Sequence, residues 1–237
     1  MIRGLLRWLW YNVPVFRCPK AVYSRIKLKR ILTLPGPRLL NFGAGPYPVS
    51  GWVNADISPS SEFYIDARKP ILLPEGSFDA VFSEHFLEHL EYSIGRRWMA
   101  ECFRCLKAGG VFRVATSGLE RLYEMYSGSS SHVAQDEFVV RHFSRFGNEI
   151  AKTYGKEASP HPCIVFNDKF RLWGSHRFIY DENFLIHTLK SIGFRQITAV
   201  KYGESRHEHL CNLEHHAQDD LWMKNAECII LEAIKSL

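Results

Sequence analysis

LLNFGAGPYPVSGWVNADIS, residues 39–58, decides how this chain is read. An apolar run enters a turn holding two glycines, Gly43 and Gly45, and an acid, Asp56, follows at the end of a second apolar run. A glycine turn after a β-prone run lets bare backbone approach a nucleotide-like ligand. A dinucleotide fingerprint wants a third glycine and an acid about 20 residues further on. Here Pro48 takes the third glycine's place, and Asp56 arrives early. A triphosphate loop wants Gly-Lys-Ser/Thr, and the turn has no such lysine. A strand, a glycine turn and an early acid remain.

Outward from this stretch the pattern alternates. RLLNFGA (38–44), GWVNADI (51–57), EFYIDA (62–67) and SFDAVFSE (77–84) are β-prone runs closed by turn residues. A helix is predicted over about 92–107, and GGVFRVATS (109–117) is a fifth strand whose two glycines end that helix. The amphipathic DENFLIHTLKSIGF (181–194) precedes two closing strands, RQITAVKYGE and AECIILEAIK. Near-continuous apolar strands separated by connectors predict a parallel sheet covered on both faces. The expected fold is α/β: a Rossmann-like three-layer sandwich on a mostly parallel seven-stranded sheet, with one antiparallel strand and a helical lid insertion over about 118–176. The expected organisation is a basic arm over 1–36 and one domain over 37–237.

Four motifs in order resemble the class I S-adenosylmethionine-dependent methyltransferases, in particular the type 11 group. LLNFGAG is similar to that family's first motif, and GWVNADI to its second strand. IDARKPILLPEGSFDAVFSEHFLEHL is similar to its D-x-x-x-x-L-P-x-x-x-x-F-D-x-V-x-x-x-x-x-L-E-H run, and LKAGGVFRVATSG to its L-K-P-G-G signature. The resemblance implies S-adenosylmethionine as cofactor. It places Asn41, Gly43, Ala44 and Gly45 at the methionine end, Asp56 and Ile57 at the ribose, and Asp66 and Ala67 at the adenine edge. Ser83 and Glu84 then stand at the end of the fourth strand. A methyl donor without phosphate needs no lysine in the turn, and a carboxylate suits two vicinal hydroxyls. Two departures stand out: Asn41 replaces the acid of many members, and the link from Gly45 to Asp56 is too short for a full crossover helix.

Methyl transfer to oxygen or nitrogen needs an aligned nucleophile and a base, and histidine titrates near neutrality. His85, in SEHFLEHL, and His176, in GSHRFIYDENFL, are the candidate catalytic residues; Arg177 and Asn167 are candidate substrate contacts from the lid side. His85, Glu88 and His89 share one face if their segment is helical, a spacing similar to the E-x-x-E-H metal site of some quinone O-methyltransferases. The alternative keeps Glu88 and His89 in the scaffold, with His85 alone facing the pocket. RHEHLCNLEHH, with His207, His209, Cys211, His215 and His216, has metal-ligand residues without a structural-zinc spacing, and reads as a polar loop. No metal is predicted.

The 237 residues are 46% hydrophobic and 23% charged, ample for a packed core. The net charge of +5 is uneven: residues 1–30 hold eight basic groups and no acid, which leaves 22 basic against 25 acidic groups in the rest. A nucleic-acid partner is therefore not expected. The opening MIRGLLRWLWYNVPVF is too short and too charged to span a bilayer, and lacks a cleavage site. It reads as a helix packed on the core, or as an interfacial anchor with Leu5, Trp8 and Trp10 in the headgroup layer. Cys102 and Cys105 sit within a helix and read as reduced thiols, which points to the cytoplasm or the cytoplasmic membrane face. The expected activity is O-methylation of a small or sugar-like acceptor, lipid-linked or of the cell envelope. The alternatives are a quinone or nitrogen acceptor, and a non-catalytic cofactor-binding partner subunit.

Overall fold

The computed structural model describes residues 9–10, 13, 17–131, 133–214 and 225–236. Leu5, Trp8, His215 and His216 lie outside the described residues.

Seven strands form one sheet: β1 (Leu39–Phe42), β2 (Val53–Asp56), β3 (Phe63–Tyr64), β4 (Phe78–Glu84), β5 (Leu106–Ser117), β6 (Phe194–Ala199) and β7 (Cys228–Lys235). Their order is β3-β2-β1-β4-β5-β7-β6. β1 to β5 pair in parallel, and β7 runs antiparallel to both β5 and β6. From β1 the chain proceeds to one side through β2 and β3, then returns to β4 on the other. This reversal opens a crevice at the carboxyl ends of β1 and β4, where open α/β sheets bind ligands.

The helices are α1 (Cys18–Ile31), α2 (Tyr92–Cys105), α3 (Leu119–Ser127), α4 (Gln135–Tyr154), α5 (Pro162–Arg171) and α6 (Glu182–Ile192). One sheet face, with Leu40, Phe42, Val81, Phe112 and Leu231, packs against Leu28 of α1, Trp98 and Met99 of α2 and Leu185 and Leu189 of α6. The strands alternate, so Leu39, Ala80, Phe82 and Val111 point the other way and meet Val49, Trp52, Leu210 and Leu213. The described residues that cover this face lie in the short link between β1 and β2 and in the loop after β6, which holds one 3₁₀ turn. The insertion keeps its own core, in which Leu122, Met125, Phe138, Val139, Val165 and Phe166 bring α3, α4 and α5 together.

Two boundaries move for physical reasons. The pair Gly109 and Gly110 does not end α2, which stops at Cys105 and passes straight into β5. The glycines instead make a bulge: Leu106 pairs with Phe78 and the next pair is Val111 with Ala80. A Cβ on Gly110 would lie 2.9 Å from the Lys107 carbonyl oxygen. β3 is shorter than its apolar run because Asp66 accepts the Arg68 amide at 3.1 Å and folds the chain into a turn. Cys102 and Cys105 are buried and free, and burial pushes the Cys105 thiol up to about 11, so neither is reactive at neutral pH.

Candidate active site

The turn after β1 is folded onto β2: the amides of Gly43 and Ala44 both donate to the Ala55 carbonyl, at 2.8 and 3.2 Å. Gly43 has φ +77°, and a Cβ there would sit 2.4 Å from the Phe86 ring, so glycine is required for conformation and for space. Gly45, at φ +50°, donates its amide to one Asp56 carboxylate oxygen at 3.2 Å, and Ser58 donates to the other at 2.7 Å. These two bonds aim the carboxylate and leave acceptor capacity, since an ionised carboxylate offers about four lone-pair sites. The Asn41 side chain donates to Asn54 at 3.0 Å, and Asn54 in turn grips the backbone of Val49 and Trp52. The asparagine that replaces an acid therefore clamps the short crossover.

Asp66 is buried and held bidentately by Arg68. Burial pushes its pKa up, and the Arg68 guanidinium and amide more than offset this, so the carboxyl stays below its ordinary range. Ala67 beside it is buried, and Ile57 accepts a hydrogen bond from the Trp10 indole at 2.8 Å. Trp10 also meets Tyr64 edge-on, so this residue of the arm packs on the domain. At the end of β4, Ser83 is fully buried and its hydroxyl has no hydrogen-bond partner among the described residues. Glu84 lines a cavity of about 10 Å³ with Asn41, Gly43, Ala44, Tyr47, Phe82 and Leu213. Bare backbone at Gly43 and Gly45, the acceptor capacity of Asp56 and the orphaned Ser83 hydroxyl fit S-adenosylmethionine.

His85 follows at φ +47°, a left-handed conformation that is costly for a residue with a Cβ and that clusters at functional sites. The strain is held by its amide, which bonds the Ala115 carbonyl at 2.9 Å, and by its ring. Nδ1 lies 2.8 Å from Glu88 Oε1, and Nε2 lies 3.3 Å from Cys228 Sγ. Glu88 is fully buried and its second oxygen accepts the Thr116 hydroxyl at 2.7 Å. Burial opposes its charge, but the His85 hydrogen bond and the neighbouring imidazoles hold its pKa far below the ordinary carboxylate value. An ionised Glu88 beside Nδ1 favours a proton on that nitrogen and orients the ring.

The shared helical face expected of His85, Glu88 and His89 is not formed. Only Leu87–His89 is a single 3₁₀ turn, and His85 precedes it with positive φ. Glu88 turns to His85, whereas His89 packs on His176 with ring centroids 5.0 Å apart. A different donor set converges: ligand atoms of His85, Glu227 and Cys228 lie within 4.8 Å of one another. Lys169 pairs with Glu227, and an ammonium in contact with that carboxylate opposes a cation there.

His176 bonds the Lys169 carbonyl through Nδ1 at 2.8 Å, and burial lowers its pKa to about 4. The unfolded chain takes up this proton near pH 6.5, so it binds more protons than the folded chain between about pH 6.5 and 4. Stability therefore falls as pH drops through that window, by about 2 kcal/mol. Urea titrations at pH 7 and 4.5 will show this loss, and His176→Gln will reduce it. The start of α6 is capped by Asp181, which accepts the Phe184 amide at 2.7 Å, and His176 is left to the β4 end.

Arg177 donates its backbone amide to the Glu88 carbonyl at 2.8 Å while its side chain is exposed. Asn167 lies apart from the histidines, in a cavity of about 530 Å³ between α3 and α5. Tyr123, Tyr126, Phe166 and Phe170 give its wall an aromatic character. His207 and His209 do not alternate on a strand. Glu208–Leu210 is a 3₁₀ turn in a loop, which buries Leu210 against the sheet.

Thr116, Cys228 and Glu227 escaped the sequence reading. β7 is antiparallel, so its first residues lie beside Ser117, at the same edge as the glycine turn. An antiparallel last strand was expected, and its start is where such residues belong.

Residues 58–114 match the sequence family described as a methyltransferase domain. No curated protein matches the chain in sequence. Among solved structures the chain is similar to an S-adenosylmethionine-dependent methyltransferase from Archaeoglobus fulgidus, with 15% identity, 94% of this chain and 100% of that chain covered, and a TM-score of 0.47. It is similar to phosphoethanolamine N-methyltransferase 2 from Haemonchus contortus, with 15% identity and a TM-score of 0.47; 91% of this chain and 52% of that chain are covered. A Thermotoga maritima methyltransferase shares 13% identity over 99% of this chain and 96% of its own, with a TM-score of 0.44.

The methyltransferase-domain match over residues 58–114 agrees with the order of the motifs, and the crevice suits S-adenosylmethionine. The glycine turn and Asp56 lie just upstream of the matched residues, so their roles rest on their geometry.

Proposed function

We propose that the protein methylates a hydroxyl oxygen on an acceptor that joins a small, sugar-like head to an apolar body, as in a lipid-linked or cell-envelope glycoside. The observation that carries this reading is the Glu88–His85 pair beside the glycine turn, in which the carboxylate lies 2.8 Å from Nδ1 and orients the imidazole as a base. The aromatic cavity between α3 and α5, with Asn167 on its wall, supports an apolar body on the acceptor.

When bound, S-adenosylmethionine supplies an electrophilic methyl group on a sulfonium. Gly43, Ala44 and Gly45 would hold its amino-acid end, Asp56 and Ile57 its ribose, and Asp66 and Ala67 its adenine. Ser83 and Glu84 would line the crevice between these groups and His85. The space at the turn holds little more than one water, and Tyr47 is the exposed member of its wall. His85 Nε2 takes the proton of the acceptor hydroxyl, which displaces the weaker Cys228 thiol contact. Glu88 stabilises the imidazolium so formed. His176, uncharged at neutral pH, and Arg177 shape the acceptor's side of the crevice.

Calorimetry with S-adenosylhomocysteine tests the cofactor site. Asp56→Ala will weaken binding by about 100-fold, the loss expected for two charge-assisted hydrogen bonds. An unchanged affinity would remove Asp56 from the site. The second reading, a partner subunit without its own activity, draws on Asn41 being committed to Asn54. Binding of S-adenosylhomocysteine without methyl transfer to hydroxyl, quinone or amine acceptors would favour that reading.

A further inference from the structure

A second cavity, of about 220 Å³, lies between α1 and the segment after β3. Its apolar wall includes Leu28, Val53, Phe63 and Leu73, and its cations are Arg17, Arg25 and Lys69. Arg17 is only 8% exposed, and its Nε has no hydrogen-bond partner among the described residues. One terminal nitrogen meets the Tyr64 hydroxyl at 3.5 Å, the outer limit of a hydrogen bond. Asp66 also lines the cavity, but Arg68 occupies both of its oxygens. A guanidinium buried without a counter-charge is costly. The N-terminal region supplies none, for no Asp or Glu precedes Asp56.

The outer face of α1 adjoins this cavity. Ser24 and Leu28 point to the core, so Val22, Tyr23 and Ile26 point away from it, 55%, 61% and 65% exposed. Arg25, Lys29 and Arg30 are exposed around them. Leu72, 61% exposed, and Arg25 belong both to this surface and to the cavity wall. Large apolar side chains held in water within a ring of cations suit the boundary between acyl chains and anionic headgroups.

We propose that α1 and residues 69–73 form a docking surface for an anionic lipid bilayer, with a headgroup phosphate taken by Arg17 in the cavity. Val22, Ile26 and Leu72 enter the headgroup layer, while Arg25, Lys29 and Arg30 meet phosphates at its surface. A second copy of the chain is disfavoured, because a two-fold contact would set this basic face against itself. No helix among the described residues is long and apolar enough to cross a membrane, so the contact is peripheral. The surface goes beyond the proposed activity and stands on different residues, so a lipid-linked acceptor is not required for it.

The test is sedimentation of the full chain with phosphatidylcholine vesicles that contain or lack phosphatidylglycerol. Partitioning will require the anionic lipid and weaken with salt. Arg17→Gln and Lys29→Gln will each lower it about fivefold, and Ile26→Ser will lower it by a similar factor or more. Lys29 and Ile26 are exposed, so their variants report even if Arg17→Gln disturbs folding, which a melting curve reveals. Inorganic phosphate at matched ionic strength will compete with the vesicles in the wild-type chain and less well in Arg17→Gln. Equal partitioning to neutral and anionic vesicles, or none to either, would overturn the proposal. So would RNA binding insensitive to Ile26→Ser in a chain that ignores vesicles. Retained S-adenosylhomocysteine binding in every variant separates a failure here from a failure of the proposed activity.

Discussion

Replacing His85 by asparagine lowers kcat by about 10²–10⁴-fold, the range lost with a positioned general base. Asparagine is the replacement of choice because it tolerates the left-handed backbone that His85 adopts at φ +47°. The variant thus removes the base and spares the turn between β4 and Leu87. Cofactor affinity should stay within a few-fold of the parent, since Asp56 and the glycine turn are untouched. Glu88→Gln tests the other half of the pair. Glutamine keeps only one of the two acceptor oxygens that meet Thr116 and His85 Nδ1, and it lacks the charge that stabilises an imidazolium, so about a tenfold loss is expected. Single-turnover rates with a hydroxyl acceptor and calorimetry with S-adenosylhomocysteine check both. A His85→Asn enzyme with unchanged kcat would withdraw the base assignment.

The second large effect concerns stability. Arg113 on β5 has a completely buried side chain between two carboxylates: Nε donates to Glu214 at 2.6 Å and NH1 to Glu232 at 2.6 Å. The nitrogen that meets Glu232, Nη1, also donates to the Glu204 carbonyl at 2.9 Å, and Glu214 accepts the Gly203 amide at 3.1 Å. Glu232 stands opposite Arg113 in the β5–β7 ladder, so the triad joins the sheet to the loop after β6. Arg113→Leu leaves two buried carboxylates without a cation, and should cost about 3–5 kcal/mol. The triple replacement by Leu, Leu and Met at 113, 214 and 232 should recover most of this, because it also removes the charges that need compensation. Urea unfolding of the two variants measures the difference. The loss should reach the site as well: Leu213, next to Glu214, lines the cavity at the glycine turn, so S-adenosylhomocysteine affinity should fall in the single variant.

The strands were legible because their apolar runs end in turn residues, and the glycine turn because Gly43 and Gly45 have few other uses at that spacing. Most of the chemistry around His85 was not. Glu88 is three residues away, a helical spacing, yet it reaches the ring through a 3₁₀ turn entered at positive φ. Cys228 is 143 residues distant and arrives only through the pairing of β7 with β5. The insertion was legible only as helical pieces. A buried contact between His142 and Asp168, at 3.0 Å, ties α4 to α5 through residues that the pattern did not single out.

Local physics is written in order along the chain. Alternation of apolar side chains, glycines that permit positive φ and an acid at a strand end determine the sheet and the glycine turn. The partners of His85, Arg113 and Arg17 were decided by tertiary structure alone. Apart from Glu88 at His85, each of these groups meets segments that share no sequence neighbourhood with it. The strength of such a contact depends on distance and desolvation, which exist only after the sheet has closed.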